Sequence, residues 1–484
     1  MIEIVIGKLS KISGNKIIVT VSNEKLVNRL SVRSFNLSYI SIGSLLGTKL
    51  VDGRLLILSV EEICEINQIV SISTRIEGTF DEIRNVFDFG TNSYPIIGEL
   101  AFTLKEDVLQ EIFSKDSDNH SNIGTYIYDD RVKVEFNPNV LFGKHLGVFG
   151  NTGSGKTCTV VSIIQNYIRN NANKNIKFIV LDVNGEYKTA FSKEEHEFYE
   201  FNSLKFHHSI LSMSEYGKLF RASEGIQYPA LKQCIEKLNS RNEKWNIKYL
   251  SDEITSWAEE NGKDSNFSKN QLFGYLRTLQ LRISSIIEDQ NLMSIINEDV
   301  ENTFVKIANS TKKVHILDLQ VSNDSLDIIL FLLFKYIYNQ KIQERKNNSN
   351  HCLLNIVLEE AHRYLNSNNE DLVLANYYID KIAREGRKYK IGLTISSQIP
   401  SLLSYDIVSQ CNSIVMHKIS NRKDLEFLRN VLRVSNESCY KQMSALEKQH
   451  AMVCGEAFPN DCIVKIRDAS PLPSSSDPVI SDIQ

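Results

Sequence analysis

The sequence has little of what marks several common protein classes. It holds only 8 prolines and 22 glycines in 484 residues, which excludes a collagen-like or a low-complexity chain. Its 8 cysteines are scattered without a Cys-x-x-Cys pair, so a disulfide scaffold and a cysteine-based zinc site are excluded. The strongest apolar run, from Ile328 to Phe334, is far short of the roughly 20 residues that a membrane-spanning helix needs. We therefore expect a protein of a reducing compartment, the cytoplasm.

The chain also lacks an excess of either charge. Its 55 basic and 59 acidic residues give a net charge of −4, unlike a protein coated for permanent nucleic-acid binding. Any contact with phosphate groups must therefore be local. With 42% apolar and 24% charged residues the composition is that of a folded, water-soluble protein of two or three domains.

The pattern of apolar residues predicts two different architectures along the chain. Residues 1–100 carry short β-rich runs separated by turn signals such as Asp52-Gly53, which is typical of an all-β domain. From residue 141 onward, apolar strand-like runs alternate with helical patterns, which favours an α/β fold with a parallel sheet covered by helices. We expect the following segments: 1–100 all-β, 101–140 connecting, 141–211 first part of the α/β core, 212–308 helical insertion, 309–460 second part of the core, and 461–484 C-terminal extension.

The strongest motif is a glycine-rich loop between a strand-like run and a helical run. Residues Gly150 to Thr157 read GNTGSGKT, a full match to G-x-x-x-x-G-K-[ST]. Such a loop wraps a triphosphate with backbone N–H groups; Lys156 would reach the β- and γ-phosphates, and Thr157 would ligate Mg²⁺. The alternative is a glycine-rich turn with no ligand. The nucleotide-binding candidates are Gly150, Asn151, Thr152, Gly153, Ser154, Gly155, Lys156, Thr157 and Cys158.

Acidic and polar residues follow other strand-like runs. Glu359 and Glu360 end the run IVLEE, the form of a Walker B strand, where Glu359 would hold Mg²⁺ and Glu360 would polarise the attacking water. Gln398 is suited to sense the γ-phosphate, and Asp182 would face the nucleotide. The alternatives are a solvated strand end for the two glutamates, a capping side chain for Gln398 and a turn former for Asp182.

A basic segment, DKIAREGRKYK, runs from Asp380 to Lys390. Arg384 and Arg387 are three residues apart and would share a helical face, which suits an arginine finger acting on a neighbouring subunit's nucleotide. A solvated basic face is the alternative.

Taken together, these motifs resemble the HerA-type ATPases of the HerA/FtsK branch of P-loop motors. The resemblance rests on GVFGNTGSGKT, LDVNGEY, VLEEAHRYL, the ARxGRKY element from Ala383 to Tyr389, and TISSQIPSLL, in that order, over about residues 141–460. The β-rich N-terminus is similar to the family's HAS barrel. The resemblance implies a RecA-like P-loop ATPase core with a helical insertion, binding ATP and Mg²⁺.

The same resemblance implies a ring-forming, hexameric helicase that pumps double-stranded DNA through a central channel. It implies that Arg387, with Arg384 as second choice, is the arginine finger that acts in trans. It also matches Asp182 to an acidic residue of the family's site and Gln398 to its sensor position. It also implies a partner effector enzyme, a nuclease or a sirtuin-like NADase, docked on the N-terminal barrel. Polar, asparagine-rich loops favour a bacterial anti-phage defence protein.

Three other functions remain open at this stage. The protein could be an assembly scaffold that activates an effector with little DNA pumping, or could work with a NurA-type nuclease in DNA end resection. A P-loop kinase of a small metabolite is the weakest alternative, because it does not explain the helical insertion or the REGRKY element.

Overall fold

The computed structural model describes residues 4–21, 40–66, 69–114, 121–171, 175–242, 244–264, 267–298, 300–348, 352–365, 373–431 and 437–474. The chain divides into two compact units. The first is built from residues 1–174, 394–401 and 408–484, and the second from residues 175–393 and 402–407.

The described strands and helices follow one another in this order. The strands are β1 (Val5–Ser13), β2 (Lys16–Val21), β3 (Leu45–Lys49), β4 (Leu55–Ile66), β5 (Ile69–Asp81), β6 (Val86–Phe89), β7 (Leu100–Thr103), β8 (Ser121–Tyr126), β9 (Asp129–Phe136), β10 (Leu146–Phe149), β11 (Ile176–Asp182), β12 (His196–Tyr199), β13 (Val314–Asp318), β14 (Leu353–Leu358), β15 (Ile391–Ser397), β16 (Ser413–Met416), β17 (His450–Gly455) and β18 (Cys462–Ile466). The helices are α1 (Glu106–Phe113), α2 (Pro138–Gly143), α3 (Lys156–Asn170), α4 (Met213–Leu219), α5 (Gln227–Arg241), α6 (Lys248–Asp264), α7 (Lys269–Glu288), α8 (Gln290–Ile296), α9 (Thr303–Asn309), α10 (Asn323–Lys346), α11 (Val373–Glu385), α12 (Tyr405–Ser409), α13 (Arg422–Val431) and α14 (Glu437–Gln442).

The N-terminal part of the first unit is a closed β-barrel, as the sequence predicts. Its strands pair in the order β2-β1-β7-β3-β4-β5, and β2 pairs back onto β5, which closes the barrel; β6 adds to the outside of β5. Alternation of buried and partly exposed residues along β2 places Ile17 and Val19 in the core. Gly14, with φ of 60°, makes the turn between β1 and β2.

A second sheet completes the first unit. β10 lies between the end of β15 and β16 and is parallel to both. β17, β18, β8 and β9 then continue this sheet in antiparallel pairs. The segments expected as a connector and as a C-terminal extension therefore contain strands β8, β9 and β18.

The second unit contains a parallel sheet. Its strands lie in the order β12-β13-β11-β14, all parallel, and β11 and β14 are buried along nearly their whole length. Buried apolar runs of this kind are typical of strands covered on both faces. The register pairs Leu181 with Leu358 and Asp182 with Asp318, so the carboxyl ends of these strands meet at one edge.

Helices α4 to α9 occupy the region for which the sequence predicts a helical insertion. Two of them begin with a capping box, Ser212 with Glu215 and Ser268 with Gln271, in which the side chains satisfy backbone N–H groups of the first turn. Leucine and isoleucine at helical spacing form the buried side of α7, for example Leu272, Leu276 and Leu279. In the part of the chain that the structure describes, no helix is long and apolar enough to cross a membrane.

Candidate nucleotide-binding site

The glycine-rich loop of the first unit connects the buried strand β10 to helix α3. Gly155 stands at the N-cap of α3 with φ of 111°, a conformation that residues with a Cβ rarely adopt. A Cβ on Gly150 would lie 2.6 Å from the Cβ of His417, so this position also requires glycine. The two glycines therefore permit the backbone conformation of the loop. In this conformation the first N–H groups of α3 point into the loop.

Lys156 is the first residue of α3, and its side chain folds back into the loop. Its Nζ donates a hydrogen bond to the carbonyl of Asn151 at 3.2 Å, and the Ser154 hydroxyl donates to the same oxygen at 2.7 Å. The backbone N–H of Asn151 donates to the Lys418 carbonyl at 2.9 Å. Lys156 is only 5% exposed. The loop is thus held by its own residues and by Lys418, which follows β16.

Gln398 lies at this loop. It follows β15, and its Oε1 accepts a hydrogen bond from the hydroxyl of Thr152. The backbone N–H of Gly150 donates to the carbonyl of Ser397, 3.4 Å away. The structure therefore brings Gln398 next to the loop, where the sequence-based hypothesis needs it, while its role as a sensor stays a prediction.

His417 is a residue of this site that sequence reasoning missed. It follows β16, its backbone N–H donates to Phe149 at 2.8 Å, and its Nε2 lies 2.9 Å from the hydroxyl of Thr159 on α3. Burial, and after it the charge of Lys156, lowers the pKa of His417 to about 3, so the ring is neutral at physiological pH. The signal in the sequence was a histidine directly after the apolar residues Ile414 to Met416 of the run SIVMHKI.

Asp182 ends β11 in the second unit and closes the turn that follows it. Its carboxylate accepts hydrogen bonds from the backbone N–H groups of Gly185 (2.8 Å), Glu186 (3.1 Å) and Tyr187 (2.9 Å). Burial raises the pKa of Asp182, and these backbone donors oppose that shift. The geometry favours the turn-forming alternative for Asp182, and its role at a metal stays a prediction.

The two Walker B glutamates have different surroundings. Glu359 is 1% exposed, and its Oε2 accepts a 2.6 Å hydrogen bond from the hydroxyl of the fully buried Tyr187. Burial and the charge of Glu359 raise the pKa of Tyr187 well above its usual value, so Tyr187 remains a hydrogen-bond donor. The hydroxyl of Tyr364 donates to the backbone carbonyl of Glu359 at 2.9 Å. Two tyrosines therefore hold Glu359, one through its side chain and the other through its backbone carbonyl.

Glu360 adopts a left-handed backbone conformation with φ of 48°. This conformation costs a residue with a Cβ about 1–3 kcal/mol and is frequent at functional sites. The side chain is 5% exposed, and its Oε2 lies 3.3 Å from Nδ1 of His362. The turn after β14 thus aims Glu360 differently from Glu359.

The two candidate arginine fingers also differ. Arg384, near the end of α11, pairs with Asp380 at 3.1 Å and with Asp406 at 2.7 Å. Arg387 lies in the short 3-10 turn Gly386–Tyr389 and is exposed. Two carboxylates of the same chain therefore pair with Arg384, and the role of either arginine as a finger in trans stays a prediction.

The residues at these positions fit a magnesium nucleotide in their chemistry. Magnesium is usually held by one or two protein oxygens together with phosphate oxygens. Thr157, which follows Lys156 at the start of α3, offers a hydroxyl, and Glu359 offers a carboxylate.

Comparisons with solved structures define the class of protein. The fold is similar to that of VirB4 of Thermoanaerobacter pseudethanolicus, with a TM-score of 0.53 at 12% identity over 73% of this chain and 98% of that one. It is also similar to the bacterial conjugative coupling protein TrwB, with a TM-score of 0.51 at 11% identity over 77% of this chain and 94% of that one. Together with the glycine-rich loop, these similarities define a P-loop ATPase fold.

Comparisons of sequence find similarity to HerA helicases. The family model described as "Helicase HerA, central domain" matches residues 121–337. The DNA double-strand break repair helicase HerA of Saccharolobus solfataricus is 26% identical over 390 residues, 77% of this chain and 73% of that protein. A probable HerA of Methanocaldococcus jannaschii is 25% identical over 91% of this chain and 94% of that protein. These similarities agree with the HerA-type resemblance of the sequence motifs.

Proposed function

We propose that this protein is a cytoplasmic, ring-forming DNA translocase that hydrolyses Mg-ATP. The observation that carries the proposal is the built P-loop, in which Gly155 caps the 15-residue helix α3 and the buried amine of Lys156 points into the loop. A helix N-terminus that follows a glycine-rich loop and carries a lysine is a binding site for phosphate groups. A solved TrwB structure of similar fold, with a TM-score of 0.50, was obtained with a non-hydrolysable GTP analogue.

The proposal gives each site residue a role. Lys156 neutralises charge on the β- and γ-phosphates, and Thr157 with Glu359 provides the oxygen donors for Mg²⁺. Glu360 polarises the attacking water, and its strained backbone fixes where the carboxylate points. Gln398 senses the γ-phosphate, and Arg387 stabilises the transition state on the neighbouring subunit.

The assembly and the partners are part of the same proposal. We propose a hexameric ring that encloses double-stranded DNA, as the resemblance of the sequence motifs implies; the relatives named as DNA double-strand break repair helicases support DNA as the substrate. We further propose that an effector enzyme, a nuclease or a sirtuin-like NADase, docks on the N-terminal barrel. Apolar side chains exposed there, such as Phe89 (67%) and Ile97 (62%), support a protein contact on that surface.

Two biological settings follow from this activity. The sequence-based hypothesis is an anti-phage defence ATPase. The curated relatives are instead named for DNA double-strand break repair, which favours the end-resection setting with a NurA-type nuclease. The two settings share the same motor and differ in the partner enzyme.

The direct test is steady-state ATP hydrolysis with and without long duplex DNA. We expect hydrolysis that rises with DNA, and Lys156→Ala and Glu360→Gln variants that are slower by about 10²-fold or more. Lys232→Ala, an exposed lysine of α5, is the matched control and should behave as the wild type. Hydrolysis that does not respond to DNA would favour the scaffold function. Full activity of Glu360→Gln would contradict its assignment as general base.

A further inference from the structure

A second cavity lies in the second unit, at the opposite end of its strands from Asp182 and Glu359. It has a volume of about 470 Å³ and is bounded by the end of α9, by α10 and by the amino ends of β11, β13 and β14. Since a strand rises about 3.3 Å per residue, the five steps from Lys177 to Asp182 separate the two ends by about 17 Å. The nucleotide mechanism proposed above uses no residue of this cavity.

The cavity is strongly positive. Four lysines, Lys177, Lys312, Lys313 and Lys341, are among its lining residues, and Glu344 is the one carboxylate among the described residues that line it. We call these five residues and the space between them the lysine pocket. Its formal charge is about +3, from four lysines and one glutamate, although burial lowers the pKa of Lys177.

Neutral carbonyl oxygens hold two of the amines in place. Lys177 donates to the carbonyls of Ile307 (2.7 Å), Ala308 (2.6 Å) and Ser310 (2.7 Å), which end α9. Lys312 donates to the carbonyl of Lys193 at 2.7 Å. Carbonyl oxygens satisfy hydrogen bonds but cancel no charge, so the positive field of the pocket remains.

Lys341 has an acidic partner, Glu344. Its Nζ lies 2.9 Å from Glu344 and 2.7 Å from the carbonyl of Cys352. Burial raises the pKa of the Cys352 thiol, and the charges of Lys341, Lys177 and Lys313 act against this rise. The amine of Lys341 therefore lies at the wall of the pocket, next to Cys352.

We propose that the lysine pocket binds a phosphate group of a ligand other than the hydrolysed nucleotide. Several amines around a concave space match the charge and the hydrogen-bond acceptors of phosphate, for which lysine is a common binding residue. A volume of about 470 Å³ falls in the range of small-molecule sites and suits a diphosphate or a nucleotide. The same phosphate chemistry is also present in the DNA backbone.

The test uses inorganic pyrophosphate as the probe and the full-length Lys156→Ala protein as the background, so that the P-loop does not contribute. We expect saturable binding by calorimetry, weakened by about tenfold or more when Lys312→Gln and Lys313→Gln are added, since charge-assisted hydrogen bonds are lost. Lys177 and Lys341 stay unchanged because their amines donate hydrogen bonds to the backbone carbonyls of the pocket wall. Lys232→Gln with Lys248→Gln, two exposed lysines outside the pocket, is the control of equal charge.

A second measurement covers the case in which the double variant does not fold. In the Lys156→Ala protein, pyrophosphate should slow the acetylation of Lys312 and Lys313, measured by mass spectrometry, and leave Lys232 and Lys248 unaffected. Competition by duplex DNA would identify the DNA backbone as the source of the phosphate, and competition by free nucleotide alone would identify a small molecule. Absence of saturable pyrophosphate binding, or equal protection of all four lysines, would overturn the proposal and leave the P-loop assignment untouched.

Discussion

The glycines of the P-loop act through the backbone conformation that they permit. Gly155 has φ of 111°, so an alanine there would be strained whatever space is available. We expect Gly155→Ala to lower the free energy of unfolding by about 1–2 kcal/mol and to abolish nucleotide binding. Gly274, in the interior of α7 with nothing within 4 Å of a built Cβ, is the matched control.

For the control, the free energy of unfolding is expected to change in the opposite direction. Gly274→Ala should raise the free energy of unfolding by about 0.4–1 kcal/mol, because alanine is favoured in a helix interior. Denaturant unfolding followed by circular dichroism measures both variants. If Gly155→Ala bound nucleotide like the wild type, the conformational explanation of this glycine would be wrong.

His417 predicts a dependence of stability on pH. Its pKa is about 3 in the folded protein and near 6.5 in the unfolded chain, so between these values the unfolded chain binds more protons. Stability contributed by the neutral ring is therefore present above pH 6.5 and is lost as the pH falls from 6.5 towards 3. We expect a slope of about 1.4 kcal/mol per pH unit from this histidine.

The measurement compares the wild type with His417→Asn between pH 7 and pH 4. The difference in unfolding free energy between the two proteins should shrink as the pH falls, because only the wild type carries the titrating ring. His208, whose pKa burial lowers to about 3, and His315, lowered to about 4, add to the overall acid sensitivity of both proteins equally. A difference that stays constant with pH would show that His417 is not buried as a neutral ring.

At the scale of elements, an ion pair connects the helical insertion to the core of the second unit. Glu215 of α4 pairs with Lys335 of α10, and its other oxygen accepts a 2.7 Å hydrogen bond from the hydroxyl of Tyr378 of α11. Glu215 also accepts from the Ser212 hydroxyl at 2.7 Å. Both charged side chains are less than 10% exposed. Breaking such a pair leaves a buried charge without compensation.

We therefore expect Lys335→Met to lower the free energy of unfolding by about 3–5 kcal/mol. The double variant Glu215→Gln with Lys335→Met should recover most of that loss, because no unpaired charge remains. The exposed pair of Arg422 and Glu426 on α13 is the control, for which Arg422→Met should cost less than about 0.5 kcal/mol. If the single and the double variant lost the same free energy of unfolding, packing and not charge would account for the stability of this contact.

The sequence predicts the local elements of this site and misses contacts between distant elements. The P-loop, β10 and α3 are found because the glycines, the buried strand and the helix are contiguous in the chain. The contact of Tyr187 with Glu359 spans 172 positions and that of His417 with Thr159 spans 258, and no local pattern encodes either of them. The parallel part of the sheet is predicted from buried apolar runs, whereas β17 and β18 are joined to it by pairing that the pattern does not show.

At the scale of the whole molecule, the proposed mechanism requires a residue of the neighbouring subunit to complete each nucleotide site. Arg387 is exposed on its own chain, as a residue that acts in trans has to be. Mixing Lys156→Ala subunits with Arg387→Ala subunits should restore part of the ATP hydrolysis that each variant lacks alone, because some interfaces then carry an intact P-loop and an intact arginine. Mixed rings, verified by native mass spectrometry, that show no recovery at any ratio would contradict this role.

Displacement of a third strand from a DNA triplex shows directly whether the protein moves along duplex DNA. A motor that moves along duplex DNA strips the bound third strand, whereas a protein that only hydrolyses ATP or only assembles does not. We predict that the wild type displaces the strand with Mg-ATP but not with a non-hydrolysable analogue, and that Lys156→Ala does not displace it. ATP hydrolysis by assembled rings without displacement of the third strand would contradict the translocase and leave the scaffold function in its place.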